Sequence, residues 1–577
     1  MTIDFRNANA LWSSVLVEAL VRSGVATVVV CPGSRSGPLA VACARHPHIE
    51  AIPVLDERSA AFFALGIAKR MGKPVGLICT SGTAAANFYP VIAEAHESRV
   101  PLLVLSADRP PELRDCRAGQ AIDQVKLYGT YPNWYAELAL PFASLDMLRY
   151  LRQTAVQAVR QCLQPHPGPV HLNVPLRDPL APVSEPLPAE LEGALVNFCD
   201  EIVPPQRLEP NASLPFSVWE QVERGIILAG VAQPSEPELY ARAIAALAVA
   251  LGWPVLAEGL SPVRNRAGLN PYLVAGYDAI LRDRMLARSL APRQIIQFGT
   301  LPTSKELRAW LAAADAQCWI LDARYDNLDP LHGRTTHLAH APQLLARSPA
   351  LAARSPRPPS SYLRQWLVAE QRVQTAMART LSDLDAPFAG KIAWLLAQLL
   401  PQETPIIVAN STPVRDVEWF WPPGDRRMHM FCNRGANGID GTLATALGIA
   451  HRQQSSVLLT GDLALLHDTT GFLLRDRFVG HLTIVLVNNN GGGIFEQLPI
   501  AQFDPPFEEF FATPQSANFA KLCAAYGVEH CHVRDWSHFE DLLTPLPTDG
   551  IRLLEFHSDR RADARWRQQL LAKFYSQ

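Results

Sequence analysis

One pattern restricts the fold more than any other. Short, unbroken apolar runs rich in Val, Ile and Leu recur along the chain, each separated from the next by a longer stretch of helical periodicity. A run with no polar alternation suits a strand buried on both faces. Such strands, spaced by helices, build parallel sheets covered on both sides. The first unit places Leu11, Trp12, Val15, Leu16, Ala19 and Leu20 on one helical face, stops at Gly24, and continues into a strand at 26–31. Further strands are expected at 51–55, 75–79, 102–106 and 170–174. A second group falls at 225–230, 254–258, 294–299 and 318–322. A third falls at 405–410, 456–462, 482–488 and 550–556.

Two proline-dense segments, 175–190 and 347–361, separate these groups. Proline removes backbone donors and blocks helices and central strands, so both segments read as linkers. The chain is therefore expected to form three α/β domains with mainly parallel sheets, over 1–185, 190–350 and 360–577. Its 577 residues are enough for that number.

A net charge of −3 provides no general basic surface for nucleic acid or an acidic membrane. No apolar run approaches the roughly 20 residues a membrane span needs. The N-terminus lacks a basic segment followed by an apolar one, so no signal peptide is expected. The ten cysteines contain no C-x-x-C pair and read as reduced thiols of a cytoplasmic protein.

In parallel α/β sheets, ligands bind beyond the carboxyl ends of the strands. The richest such position is TGDLALLHD (460–468), followed by VNNNGGGIF (487–495). Asp462 and Asn489 each end an expected strand, 489 − 462 = 27 residues apart, which fits one right-handed crossover. Their side chains can then lie side by side at one sheet edge. An Asp carboxylate, an Asn amide oxygen and a backbone carbonyl, here Gly491, are the hard oxygen ligands that Mg²⁺ or Mn²⁺ takes beside a diphosphate. Taken alone, NNNGGG also reads as a strand-end turn. A dinucleotide fingerprint fits poorly, because the G-x-G-x-x-G spacing is missing. In the first domain, LDER (55–58) places Glu57 directly after a strand, at the start of an Ala-rich helix. A first-turn glutamate favoured by the helix dipole is the plainer explanation. Arg35, Arg109, Arg415 and Arg434 all fall in expected strand-end loops, where Arg can grip carboxylates with two parallel bonds.

GD followed one crossover later by NN resembles the thiamine-diphosphate-binding motif, with Leu463 where that family usually has a third-position Gly after Gly461 and Asp462. The strings CPGSRSGPLA (31–40), TSGTAAANFYP (80–90), SADRPPELRDC (106–116), GQAIDQ (119–124), NSTPVRD (410–416) and NRGANGIDG (433–441) resemble one branch of it, the 2-succinyl-5-enolpyruvyl-6-hydroxy-3-cyclohexene-1-carboxylate synthases. The resemblance implies a pyruvate-decarboxylase-like architecture and the cofactors thiamine diphosphate and Mg²⁺ (or Mn²⁺). It implies a reaction of menaquinone or phylloquinone biosynthesis: 2-oxoglutarate is decarboxylated and its succinyl-semialdehyde unit is added to isochorismate. Self-association into a homodimer or homotetramer is implied too, with the first and last domains meeting across subunits. By the same resemblance, Glu57 activates the cofactor. Ser34, Arg35, Arg109, Gln120 and Lys305 face isochorismate, and Ser411, Arg415 and Arg434 face the succinyl carboxylate. Ile439 is the apolar wedge under the cofactor, and Phe495 and Leu498 line the pocket. Gly119 stands where the family often has Asn. His96 and His467 read as structural. An acetolactate-synthase-like ligase, another 2-oxo-acid decarboxylase, and a non-catalytic nucleotide-binding protein are the alternatives.

Overall fold

Every apolar run named above is a strand in the computed structural model, which describes residues 3–205, 209–324 and 326–576. The strands form three six-stranded sheets. The first runs, edge to edge, Glu50–Pro53, Thr27–Val30, Val75–Cys79, Leu102–Asp108, Pro169–Pro175, Trp134–Glu137. The second runs Arg334–Ala339, Gln317–Asp322, Gln294–Phe298, Gly225–Ala229, Val255–Ala257, Leu273–Val274. The third runs His429–Phe431, Pro405–Val408, Ser456–Gly461, His481–Asn488, Gly550–His557, Glu529–His532. Neighbours pair in parallel, as buried strands joined by helices require. The strands that no apolar run announced, such as Trp134–Glu137 and Glu529–His532, all sit at sheet edges.

The described chain separates into two compact units. One comprises Met1–Leu208, Asn433–Gln453 and Leu466–His481; the other comprises Glu209–Cys432, Gln454–Leu465 and Leu482–Gln577. The last sheet's sequence is thus split between units. The reason lies in helix Thr442–Ala450, which packs along helix Glu57–Met71 in the first unit. Helix Glu57–Met71 is well specified by its sequence. Asp56 caps it by accepting the Ser59 amide at 2.8 Å, Lys69 and Arg70 complement its C-terminal dipole, and Gly72 closes it at φ 63°.

Segment 175–190 is irregular up to helix Glu190–Ala194. Segment 347–361, expected to be free of helix, is not. Pro349 occupies the first position of the short helix Pro349–Ala352, where its missing N–H is no loss, and Ser348 caps it. The ten cysteines are free thiols. No helix among the described residues is long and apolar enough to cross a membrane.

Candidate active site

In the first unit, three loops meet at the carboxyl ends of neighbouring strands. The loop after Thr27–Val30 carries Ser34 and Arg35, and a Cβ on its Gly33 would lie 2.2 Å from the Thr80 side chain. This near-contact ties it to the 80–83 loop. That loop is tied in turn to Gln120: the Ser81 hydroxyl donates to the Gln120 carbonyl (2.9 Å), and the Gln120 amide donates to the Ser81 carbonyl (3.1 Å). Arg109 donates to the Gly119 carbonyl at 2.7 Å. At the position where a side-chain amide was expected, a backbone oxygen therefore braces the arginine. Ser34 and Gln120 are exposed. Arg35 is 4% exposed, bonded to the Leu176 carbonyl (2.8 Å) and 3.6 Å from Asp178. The Nε atoms of Arg35 and Arg109 are buried and unpartnered.

Glu57 is the first residue of its helix and is half-buried. Its charge is felt by the buried thiols of Cys31 and Cys79, which end neighbouring strand runs and are pushed up chiefly by burial. Glu57 therefore stands at the same sheet edge as the three loops. The unit also carries Arg434 and Ile439, in the loop leading to helix Thr442–Ala450. Glu94, 3% exposed, fixes this loop by accepting the amides of Gly435 (3.2 Å) and Ala436 (2.7 Å) and pairing with Lys69 (3.2 Å). His96 packs edge-on against Tyr131, and His467 is exposed and offers only its carbonyl, to Arg58.

In the second unit, strands Ser456–Gly461 and His481–Asn488 pair so that Gly461 lies opposite Val487. Asp462 and Asn489 then follow at neighbouring strand ends, one residue out of register and both buried. One Asp462 oxygen accepts the Leu463 amide and the other the Gly491 amide, each at 2.8 Å, which draws the two strand-end loops together. Gly491 has φ 125°, and a Cβ there would lie 2.3 Å from the Ala512 carbonyl, so only glycine fits. Burial pushes the Asp462 carboxyl up from its ordinary range, against the pull of its backbone donors. A buried carboxylate beside an amide oxygen and a backbone carbonyl is a donor set that fits a hard divalent cation, which would also relieve that desolvation. Among the described residues no group of three or more His, Cys, Asp or Glu could hold a metal ion; this set contains one carboxylate.

The same unit holds a cavity of about 790 Å³, lined among others by Lys305, Arg415, Glu418, Trp419, Ile494 and Leu498. Lys305 begins a helix that Ser304 caps (3.1 Å to the Leu307 amide). Arg415 belongs to helix Thr412–Phe420 and donates to the Ser411 carbonyl at 2.5 Å. Ser411 adopts φ 70°, a conformation rare for a residue with a side chain and enriched at functional sites. The structure thus brings together Lys305 and Arg415, to which the resemblance gives different substrates. Phe495 is adjacent to this lining through Ile494. Glu418, Trp419 and Ile494 were not foreseen; their signal was position, within four residues of Arg415 or next to Phe495.

Family models match the chain in three places. "Thiamine pyrophosphate enzyme, N-terminal TPP binding domain" covers residues 12–127. "Middle domain of thiamine pyrophosphate" covers 206–408, and "Thiamine pyrophosphate enzyme, C-terminal TPP binding domain" covers 418–555. A relative from Nostoc sp. named 2-succinyl-5-enolpyruvyl-6-hydroxy-3-cyclohexene-1-carboxylate synthase is 57% identical, over 100% of this chain and 99% of its own length. One of the same name from Trichodesmium erythraeum is 55% identical over 100% of both chains. Among solved structures, the benzoylformate decarboxylase of Polynucleobacter necessarius superposes with a TM-score of 0.69 at 16% identity. The match covers 95% of this chain and 98% of that one, and it bears on the fold alone.

Proposed function

The chain belongs to the family of 2-succinyl-5-enolpyruvyl-6-hydroxy-3-cyclohexene-1-carboxylate synthases, which carry thiamine pyrophosphate enzyme domains, and on that premise we propose that it decarboxylates 2-oxoglutarate and joins the remaining succinyl-semialdehyde unit to isochorismate. The observation that carries this reading is identity above half, sustained over the full length of both chains. It is supported by the chemistry of the residues. One substrate has two carboxylates and loses one as CO₂, while the other has two, so the site needs several cations. Arg35, Arg109, Arg434, Lys305 and Arg415 are the cations this reading assigns to those carboxylates.

When bound, thiamine diphosphate supplies a nucleophilic carbon that also accepts the electron pair left by departing CO₂. Glu57 holds or releases a proton at its carboxylate, opposite an aminopyrimidine nitrogen. Asp462, Asn489 and the Gly491 carbonyl would hold Mg²⁺ or Mn²⁺, and Gly461 and Leu463 would stand beside the diphosphate. Ile439 supports the cofactor as an apolar wedge. Ser411, Arg415 and Arg434 orient the succinyl carboxylate. Ser34, Arg35, Arg109, Gln120 and Lys305 orient isochorismate. Phe495 and Leu498 exclude water from the reacting carbon. We take 1–185, 190–350 and 360–577 as working limits of the domains, the cytoplasm as the location, and a homodimer or homotetramer as the assembly.

The test is mass spectrometry of products from 2-oxoglutarate, thiamine diphosphate and Mg²⁺, with and without isochorismate. The condensed product should form only with isochorismate. Release of succinic semialdehyde at the same rate in both mixtures would make the protein a simple decarboxylase. Assembly has its own test. Glu57→Ala and Asp462→Ala chains, each inactive, are co-expressed in equal amounts. If each site draws Glu57 from one subunit and Asp462 from its partner, roughly a quarter of wild-type activity returns. Verified mixed oligomers with no recovery would refute the shared site.

A further inference from the structure

Behind the Arg415 helix lies a group of buried charges that the reaction as described does not use. Glu258, directly after strand Val255–Ala257, is 0% exposed, and Glu418 is 2% exposed. Glu258 accepts the Leu260 amide (2.5 Å) and the Thr303 hydroxyl (3.0 Å). Glu418 accepts the Gly259 amide (2.6 Å) and the Tyr277 hydroxyl. Two of these residues, Glu418 and Thr303, touch the substrate-binding elements. Glu418 stands one turn after Arg415 on helix Thr412–Phe420, and both line the cavity. Thr303 lines it too and lies two residues before Lys305.

The cation beside Glu418 is Arg264, whose charge lowers the Glu418 carboxyl by less than burial and Glu258 raise it. Arg264 points its guanidinium at the carbonyls of Ala257, Ala275, Val417, Glu418 and Trp421, at 2.8–3.3 Å. It approaches the Glu418 carboxylate only at 3.7 Å. Glu370, buried on helix Ser361–Ser382 and bonded to the Ala275 and Gly276 amides, adds a further acid near Arg264. On the Arg415 helix, Asp416 is fully engaged by Arg567 (2.6 and 2.7 Å). The other charged residues lining the cavity are Asp278, Arg282, Glu306, Glu496, Arg561, Arg565 and Arg567 itself. Burial first, and the Glu258 charge next, hold the Glu418 carboxyl well above the ordinary carboxylate range.

We propose that Glu418 is a proton-linked positioning residue for the dicarboxylate substrate. Neutral, it leaves the positive charge of Arg415 to the 2-oxoglutarate carboxylate. Ionised, it attracts Arg415 from one helical turn away and weakens its hold. The neutral form is the competent one, and among the described residues the carboxylate accepts the Tyr277 hydroxyl and the Gly259 amide. This inference rests on the proposed use of 2-oxoglutarate, which stays dianionic while Glu418 titrates.

The experiment follows kcat and KM for both substrates from about pH 6 to about pH 9 in the wild type, Glu418→Gln and Tyr277→Phe. In the wild type, KM for 2-oxoglutarate should rise on the order of tenfold towards alkaline pH while kcat changes little. Glutamine copies the neutral carboxyl, so Glu418→Gln should keep the low KM across the range. Tyr277→Phe removes a donor that favours the carboxylate, so its rise should move to higher pH. A purely structural role would lower stability or kcat in the variants without altering the shape of the KM profile. A flat wild-type profile overturns the proposal even if Glu418→Gln does not fold, and so does a Glu418→Gln enzyme that keeps the alkaline rise. Absence of any turnover of 2-oxoglutarate with isochorismate would instead defeat the functional reading, and this inference with it.

Discussion

Replacing Glu94 with glutamine tests whether one buried carboxylate holds the loop that carries Arg434 and Ile439. Glu94 accepts the Gly435 and Ala436 amides and pairs with Lys69, whose side chain is 1% exposed. Removing one partner of a buried pair costs about 3–5 kcal/mol, because the surviving charge is left without compensation. Glutamine retains one good acceptor, and Lys69 retains its bond to the Asn433 amide oxygen at 2.9 Å. These place the expected loss near the lower limit, about 3 kcal/mol. A chain of this size does not unfold in one step, so the loss should be read locally. Since 1.4 kcal/mol is a factor of ten, hydrogen exchange at the Gly435 and Ala436 amides should quicken by about a hundredfold. Adding Lys69→Met removes the stranded ammonium and should restore at least half of the lost protection. Exchange within about threefold of wild type in Glu94→Gln would show that something other than this carboxylate fixes the loop.

Glu57→Gln should bind thiamine diphosphate almost normally yet lose about a hundredfold or more in kcat, and wild-type turnover would reduce Glu57 to a helix-start residue. Asp462→Ala should abolish the thermal shift produced by thiamine diphosphate with Mg²⁺, and an unchanged shift would refute the metal assignment. Arg415→Ala should raise KM mainly for 2-oxoglutarate and Arg35→Ala mainly for isochorismate, each by roughly tenfold or more; equal effects on both substrates would end that division of roles. Asp468 accepts the Ala444 amide at 2.8 Å, and burial pushes its carboxyl up to about 7. An acid raised in the folded state penalises folding increasingly as pH climbs from its unfolded value to its folded one. Asp468→Asn should therefore protect the Ala444 amide from hydrogen exchange more than wild type does at about pH 8, by up to about 4 kcal/mol, and lose the advantage near pH 4; no gain at the higher pH would contradict the burial argument.

The strands that the sequence disclosed and those it hid differ in one physical respect. A central strand has neighbours on both edges and cover on both faces, so its apolar run is continuous, as in VGLIC at 75–79, buried throughout. The strands Trp134–Glu137, Leu273–Val274, Arg334–Ala339, His429–Phe431 and Glu529–His532 close sheet edges. WYAE and EHCH contain no fully buried position, and RTTHLA contains none either. Edge strands need polar residues to discourage pairing with other chains, and that need erases the apolar signal. The site divides in a similar way. Asp462, Asn489 and Glu57 were legible because strand-end position and local spacing carry their meaning. Glu94 and Glu418 were not, since each takes partners from segments far away in the chain. Glu94 meets amides 341 and 342 residues on, and Glu418 meets one 159 residues back.

Gly66 and Gly448 show how such distant dependence can set a site. Glycine inside a helix costs roughly 1 kcal/mol relative to alanine, so a sequence reader marks both positions as weak points. In the structure, a Cβ on Gly66 would lie 2.2 Å from the Thr445 carbonyl oxygen, and one on Gly448 would lie 2.1 Å from the Phe63 carbonyl oxygen. Both obstacles are backbone atoms, which no change of rotamer can move aside. The separation of helices Glu57–Met71 and Thr442–Ala450 is therefore fixed by main chain against main chain. One helix begins with Glu57, and the other follows the loop of Ile439, held by the Thr442 hydroxyl on the Ile439 carbonyl at 2.7 Å. Two residues assigned to the same cofactor thus stand on elements whose spacing side-chain repacking cannot adjust. The local helical preference given up at the two glycines is offset by that close contact, and any larger residue at either position would force the helices, and with them Glu57 and Ile439, apart.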